Sequence, residues 1–214
     1  MIEPNMEEIG KIVMEHNDPQ DIFYDRYVGK RKESSKTLWF KFWQTHQEWL
    51  HVLEHDEIQG HIIDFGCGSG HSDFFLTENG LKVHGVDYSP TGIDICNYLR
   101  SLQSNEIQER TSFECLNITG PIQPRKHKYD SVWSSHTFEH IVDPSAIFDA
   151  LDVLTKPGAY MLISVPFADN YNHPTHVHQW FSTKDFDDFL SQFVEVVWVR
   201  RNGACMRAMC RLNA

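Results

Sequence analysis

From residue 61 onward, short apolar runs alternate with segments in which apolar side chains recur every three or four positions. A short apolar run suits a strand buried on both faces, and the longer spacing suits a helix that turns one face to that sheet. The strands expected on this basis are 61–64, 82–86, 111–116, 129–133 and 159–165, with helices near 71–79, 91–104 and 144–154. Ser89-Pro90 suits a helix start and Lys156-Pro157-Gly158 a stop. Such alternation predicts a parallel sheet with helices on both faces.

The two ends of the chain follow other patterns. Ile9, Ile12 and Val13 have helical spacing, and the segment stops at Asn17-Asp18-Pro19. A second helix is expected over 35–54, where Trp39, Trp43, His46, Trp49, Leu50 and Leu53 form an aromatic stripe that reads as a packing face. At the C-terminus, residues 194–200 and 204–212 flank Asn202-Gly203, a strong hairpin signal, so an antiparallel hairpin should close the sheet. The division expected is a helical extension or lid over 1–57 and a sheet domain over 58–214.

The stretch on which the rest turns is His61-Ile62-Ile63-Asp64-Phe65-Gly66-Cys67-Gly68-Ser69-Gly70. A loop that turns sharply and lets its backbone touch a ligand has no room for Cβ and often needs φ > 0, which is what alternating glycines supply. Helical residues follow from about His71, so the loop would present its ligand to a helix N-terminus. The glycines run G-x-G-x-G, and Asp64 stands two residues before the first. That acid would repel a pyrophosphate but suits an ammonium group. About 20 residues on, Lys82-Val83-His84-Gly85-Val86 ends in Asp87, whose carboxylate could take both hydroxyls of a ribose. A nucleoside and an amino acid in one crevice point to S-adenosylmethionine.

Composition narrows the setting. The 214 residues suffice for one sizeable α/β domain. No run of about 18 apolar residues could span a bilayer, and Met1-Ile2-Glu3-Pro4 lacks the pattern of a signal peptide, so a cytoplasmic protein is expected. The five cysteines, Cys67, Cys96, Cys115, Cys205 and Cys210, include no C-x-x-C pair and read as reduced. A net charge of −11, with basic clusters as small as Gly29-Lys30-Arg31-Lys32 and Arg200-Arg201, argues against a broad nucleic-acid surface.

The segment Asp64 to Gly70, with Asp87 at the end of the second strand, resembles the first two motifs of the class I S-adenosylmethionine-dependent methyltransferases. Leu154-Thr155-Lys156-Pro157-Gly158 is similar to the turn before the fifth strand of that family. The resemblance implies a Rossmann-like three-layer sandwich with a seven-stranded sheet of order 3-2-1-4-5-7-6. It also implies S-adenosylmethionine as cofactor, with Asp64, Gly66, Cys67, Gly68 and Gly70 at the methionine part and Asp87 with Tyr88 at the ribose. Asn117 would meet the adenine, and Ser134 at the end of the fourth strand would border the site. Asn117 stands where the family usually carries an Asp; its side-chain oxygen can still accept, and an Asn in a plain turn is the equal alternative. In this family the segment before the first motif often lies over the cofactor, which makes Tyr24, Tyr27 and Trp39 candidates for contacts.

The fourth strand runs into Ser134-Ser135-His136-Thr137-Phe138-Glu139-His140-Ile141-Val142-Asp143-Pro144. The H-x-x-E-H within it has the spacing of inverted zincin metalloproteases, but only about ten residues separate the strand from Pro144, too few for a zinc-carrying helix. The loop after the fifth strand carries His173, His176 and His178 within six residues. Together these segments resemble the small-RNA 2′-O-methyltransferases and the ubiquinone-pathway O-methyltransferases, in which a Glu-x-x-Glu-His stretch and one later His hold a divalent cation. Here His136 stands at the first Glu, Glu139 and His140 match, and His176 or His178 would complete the set. Exchanging a carboxylate for an imidazole would favour Mn, Fe or Zn over Mg. Alternatively, one of His136, His140, His176 or His178 is a general base for an attacking hydroxyl, with Glu139 beside it.

The expected acceptor is an oxygen on a small molecule or glycan. Methylation of an RNA end and a non-catalytic S-adenosylmethionine-binding module are the alternatives, and the oligomeric state is left open.

Overall fold

The structure, a computed structural model, describes residues 4–18, 53–120, 129–167 and 175–212. The aromatic helix expected over 35–54, the candidates Tyr24, Tyr27 and Trp39, and His173 lie outside the described residues, as does most of the 1–57 extension. Seven strands form one sheet: β1 His61–Phe65, β2 Lys82–Asp87, β3 Thr111–Cys115, β4 Tyr129–Ser135, β5 Thr155–Pro166, β6 Glu195–Asn202 and β7 Cys205–Arg211. Their order is β3-β2-β1-β4-β5-β7-β6. The β2–β3, β1–β4 and β4–β5 pairs are parallel, and β7 runs antiparallel to both β5 and β6. The helices are α1 Met6–His16, α2 His71–Glu78, α3 Pro90–Ser101, α4 Asn105–Arg110, α5 Ser145–Leu154 and α6 Thr183–Leu190. No described helix is long and apolar enough to cross a membrane.

The chain divides into two compact units, Met1–Glu54 with Cys67–Leu116, and His55–Gly66 with Asn117–Ala214. In the first, Ile9 and Val13 of α1 pack with Phe74, Ile95 and Leu99 into one apolar cluster, as the spacing of the N-terminal segment predicts. Asn5 caps α1 through its side chain, and Asn17 stops it in the left-handed conformation. Ser89 accepts from the Gly92 N–H and Pro90 opens α3, as expected. The helix expected over 91–104 is α3, which ends at Ser101; α4, with Ser104 as its N-cap, follows as a separate short helix that the spacing did not predict.

In the second unit a line of aromatic rings runs through the interior: Phe65 to Phe138 at 6.3 Å, Phe138 to Phe148 at 5.8 Å, Phe148 stacked on Phe193 at 5.1 Å, and Phe193 to Phe189 at 5.7 Å. Burying rings of this size contributes about 1.5–3 kcal/mol each. The hairpin forms as expected, but its two-residue loop is Gly203-Ala204, because Asn202 pairs with Cys205. Gly203 has φ +59 and Ala204 is not among the residues with positive φ, the pattern of a turn that needs glycine only at its first position. Helix α6 is capped by Ser182, whose side chain accepts from the Asp185 N–H.

At the N-terminal end of the sheet, Asp130 of β4 accepts from the His61 N–H at 2.9 Å and pairs with Lys156 of β5, so one carboxylate ties the starts of three neighbouring strands. Burial pushes the Asp130 carboxyl up, but Lys156 and the His61 N–H outweigh this and hold it below the usual 3.8. A depressed folded value means stability that is present above that pH and lost as pH falls through the folded value. Asp130→Asn should therefore unfold at lower urea than the parent at pH 7, with the gap closing on acidification below about 3.8.

Candidate active site

The first unit supplies a glycine turn braced by one carboxylate. Cys67 donates its N–H to the Val86 carbonyl, which lays the turn beside the end of β2. Asp87, 9% exposed, accepts from the Gly68 N–H through one oxygen and from the Ser89 N–H through the other, each at 2.9 Å. The Cys96 thiol donates to the Gly68 carbonyl at 3.3 Å. Gly68 has φ +58, and a Cβ there would meet nothing within 4 Å among the described residues. Gly70, at φ +75, is closed instead: a Cβ would meet the Phe113 ring at 2.9 Å. Tyr88, next to the braced carboxylate, is 72% exposed.

The carboxylate expected to meet a ribose thus also shapes the turn, each oxygen holding one backbone N–H. Such charge-assisted bonds are about twice as strong as neutral ones.

In the second unit Asp64 is buried at the end of β1, in register with Trp133. Gly66 has φ +79, and a Cβ there would collide with the Thr137 side chain, whose hydroxyl donates to the Phe65 carbonyl at 3.2 Å. Ser134 is buried and donates to that same carbonyl at 2.9 Å, so its hydroxyl ties β4 to β1. Asn117 is exposed, and its side-chain oxygen accepts from Thr119 at 3.2 Å and 2.9 Å. This is the turn alternative; its amide N–H₂ remains to face a ligand.

After β4 the chain makes a single 3₁₀ turn, Phe138–His140, and no zinc-carrying helix, which removes the geometric basis of the protease reading. Phe138 anchors the turn in the aromatic interior, and the Glu139 carbonyl accepts from the Val177 and His178 N–H groups at 2.8 Å and 3.1 Å. Those two bonds bring the histidine loop onto the turn. Glu139, His140 and His176 then place ligand atoms within 4.8 Å of one another. The Glu139 side chain is 1% exposed, and among the described residues neither of its oxygens has a hydrogen-bond partner. His140 faces Thr175 through Nδ1, 3.1 Å from the Thr175 carbonyl, which leaves Nε2 3.9 Å from Glu139 Oε1. A histidine whose Nδ1–H is given to a backbone carbonyl presents a lone pair on Nε2, the usual arrangement of a metal-binding histidine.

The two loop histidines separate. His176 meets His140 edge-on at 4.9 Å between ring centroids, whereas His178 lies among Trp180 and Phe189, at 5.8 Å and 5.3 Å. Of the pair offered by the sequence, His176 is the one gathered to Glu139, and His178 packs.

His136 stands apart from the three. Its Nδ1 lies 3.5 Å from Glu139 Oε1, outside the set of mutually close ligand atoms formed by Glu139, His140 and His176. Its backbone is left-handed, with φ +56, and its N–H donates to the Ser164 carbonyl of β5 at 2.8 Å. Its Nε2 meets the Cys205 thiol at 3.7 Å. Burial pushes the imidazole down, but the contacts with Cys205 and Glu139 outweigh that and raise it to about 10. Cys205 is a partner that the sequence did not signal, since it lies on β7 and shares no motif with His136. All five cysteines are free, as expected.

A family model described as "Methyltransferase domain" matches residues 31–198. The chain belongs to this methyltransferase family. Its sheet order is that of the class I S-adenosylmethionine-dependent fold. The ubiquinone biosynthesis O-methyltransferase of Paraburkholderia phytofirmans is 31% identical over 105 residues, which is 48% of this chain and 43% of that protein. The chain thus spans under half the length of that curated relative. A structure of a methyltransferase from Aquifex aeolicus superimposes with a TM-score of 0.65 at 14% identity, over 98% of this chain and 99% of that one. The glycopeptide N-methyltransferase MtfA, solved with S-adenosylmethionine, gives 0.64 at 9% identity over 78% and 92% of the two chains. At such identities the likeness concerns the fold.

The glycines of the methyltransferase turn should differ in cost. Gly68→Ala should lose about 1–2 kcal/mol from its left-handed backbone alone. Gly66→Ala should lose that and about 1–3 kcal/mol more from the collision with Thr137. Urea midpoints of the two variants measure the difference.

Proposed function

We propose that this chain transfers the methyl group of S-adenosylmethionine to an oxygen of a small molecule or sugar, beside a divalent cation held by Glu139, His140 and His176. The observation that carries the reading is the Glu139 carboxylate: buried, without a hydrogen-bond donor among the described residues, and with ligand atoms of two imidazoles within 4.8 Å. An ionised carboxylate in that position costs several kcal/mol unless positive charge compensates it; His136 at 3.5 Å supplies part of that, and a cation between the three ligand groups would supply the rest. Two nitrogens and one oxygen fit Zn, Fe or Mn better than Mg, and three protein ligands leave coordination positions for an acceptor.

On this reading the glycine turn of the first unit receives the methionine part of the donor at Gly68, and Asp87 with Tyr88 receives the ribose. The donor sulfonium is already electrophilic, so what the chain contributes is placement of the acceptor in line with the methyl group. A bound cation would supply Lewis-acid stabilisation of the acceptor oxygen as it loses its proton. The Thr175 carbonyl keeps His140 Nε2 turned towards Glu139 throughout.

The test uses methyl-labelled S-adenosylmethionine and a cell extract fractionated into RNA, DNA, protein, glycan and small metabolites, with and without Mn²⁺. Label in the glycan or small-metabolite fraction, lost on chelation while donor affinity is kept, is the expected result. Label in RNA would redirect the acceptor to an RNA end, a reading favoured by the Glu139-His140 and His176 pattern but opposed by the charge of −11. Binding without transfer to any fraction would favour a non-catalytic module. Asp87→Ala should weaken donor binding about 10–100-fold by calorimetry, the equivalent of one hydrogen bond to a charged group at about 1.5–3 kcal/mol.

A further inference from the structure

His136 occupies the position at which the sequence pattern leads one to expect a ligand, yet its surroundings suit a different task. The main chain is fixed by the bond from its N–H to the Ser164 carbonyl and held left-handed, a conformation uncommon for a residue other than glycine, asparagine or aspartate. The ring is fixed at its far end by the buried Cys205, which opens β7 in register with Pro166 of β5. The near end, Nδ1, faces Glu139 Oε1. Neighbouring strands thus decide where this imidazole points.

We propose that His136 is a positioning residue: clamped by Cys205, it aims the buried Glu139 carboxylate at the cation held by Glu139, His140 and His176. The proposal rests on the cation reading of the preceding section.

Tautomer chemistry supports the assignment. An Nδ1 without its proton would turn a lone pair onto a carboxylate, so the stable arrangement carries Nδ1–H towards Glu139. Nε2 then accepts the Cys205 S–H, or donates to the sulfur when the ring is charged, and in both states Nδ1–H still faces the carboxylate. A nitrogen that bears a proton cannot bind a metal. The 3.5 Å separation exceeds a good hydrogen bond and closes with a few tenths of an ångström of carboxylate movement. Outer partners of this kind orient a ligating group, and their loss typically lowers metal affinity about 10–100-fold. A bland alternative is that His136 only neutralises a buried acid, in which case removing it would leave metal affinity unchanged.

The experiment titrates metal-stripped full-length protein with Zn²⁺ by calorimetry and records the visible absorption of the Co²⁺ form, for the parent and for His136→Ala, His136→Asn, Cys205→Ala and His140→Ala. Asparagine tolerates the left-handed backbone and places an amide donor near the site of Nδ1. Retained affinity for S-adenosylhomocysteine reports that each variant is folded. The expected result is one Zn²⁺ per chain in the parent, about 10–100-fold weaker binding in His136→Ala, and recovery of most of that loss in His136→Asn. Cys205→Ala should weaken binding less than His136→Ala and leave the Co²⁺ spectrum unchanged. A loss in His136→Ala as complete as in His140→Ala would make His136 a ligand and overturn the proposal while sparing the cation reading. Unchanged affinity in His136→Ala, or a sulfur-to-cobalt band that vanishes in Cys205→Ala, would also overturn it alone. No Zn²⁺ or Co²⁺ binding by the parent would overturn both.

Discussion

The buried carboxylate of Glu139 is the constraint around which the second unit is arranged. It sits on a single 3₁₀ turn whose other side chain, Phe138, is locked into a row of aromatic rings, so the acid cannot swing out to solvent. Its own carbonyl then recruits the histidine loop through two main-chain bonds. Apolar packing thus holds a charge where water cannot reach it, and the imidazoles around it are the compensation available on the protein. The local dielectric makes that compensation strong and the lack of it costly.

The glycine turn in the first unit solves a different problem with the opposite economy. There one carboxylate, Asp87, shapes the backbone with an N–H on each oxygen, and a Cβ at Gly68 would meet nothing within 4 Å among the described residues. A ligand that docks there meets groups already in place, so little ordering remains to be done on binding. The Glu139 cluster, by contrast, has donors missing and distances of 3.5–3.9 Å that a cation would shorten.

Much of the architecture was legible in the residues because it follows from local rules. Alternating glycines, an acid at a strand end and Ser89-Pro90 each demand one backbone conformation whatever surrounds them. The errors fell where neighbours decide. Asn202-Gly203 announced a hairpin, but the pairing of Asn202 with Cys205 moved the loop one residue on. Helix α6 escaped notice because its eight residues carry only Phe186 and Leu190 as buried positions, too short a stretch for periodicity to stand out.

The sequence by itself determined the strand and helix alternation, the donor-side glycine turn, and the candidate list of Glu139 with its histidines, since each depends on residue type and spacing along the chain. Only the tertiary structure decided which histidine does what. His176 and His178 are two residues apart and chemically identical, yet main-chain bonds to Glu139 and an aromatic pocket send one to the carboxylate and the other into packing. His136 meets Cys205 of β7 at its far nitrogen, a contact between residues 69 positions apart that no spacing rule can carry. Spacing fixes which side chains share an element, whereas the meeting of two elements fixes which atoms face each other, and the chemistry of an imidazole depends on the second.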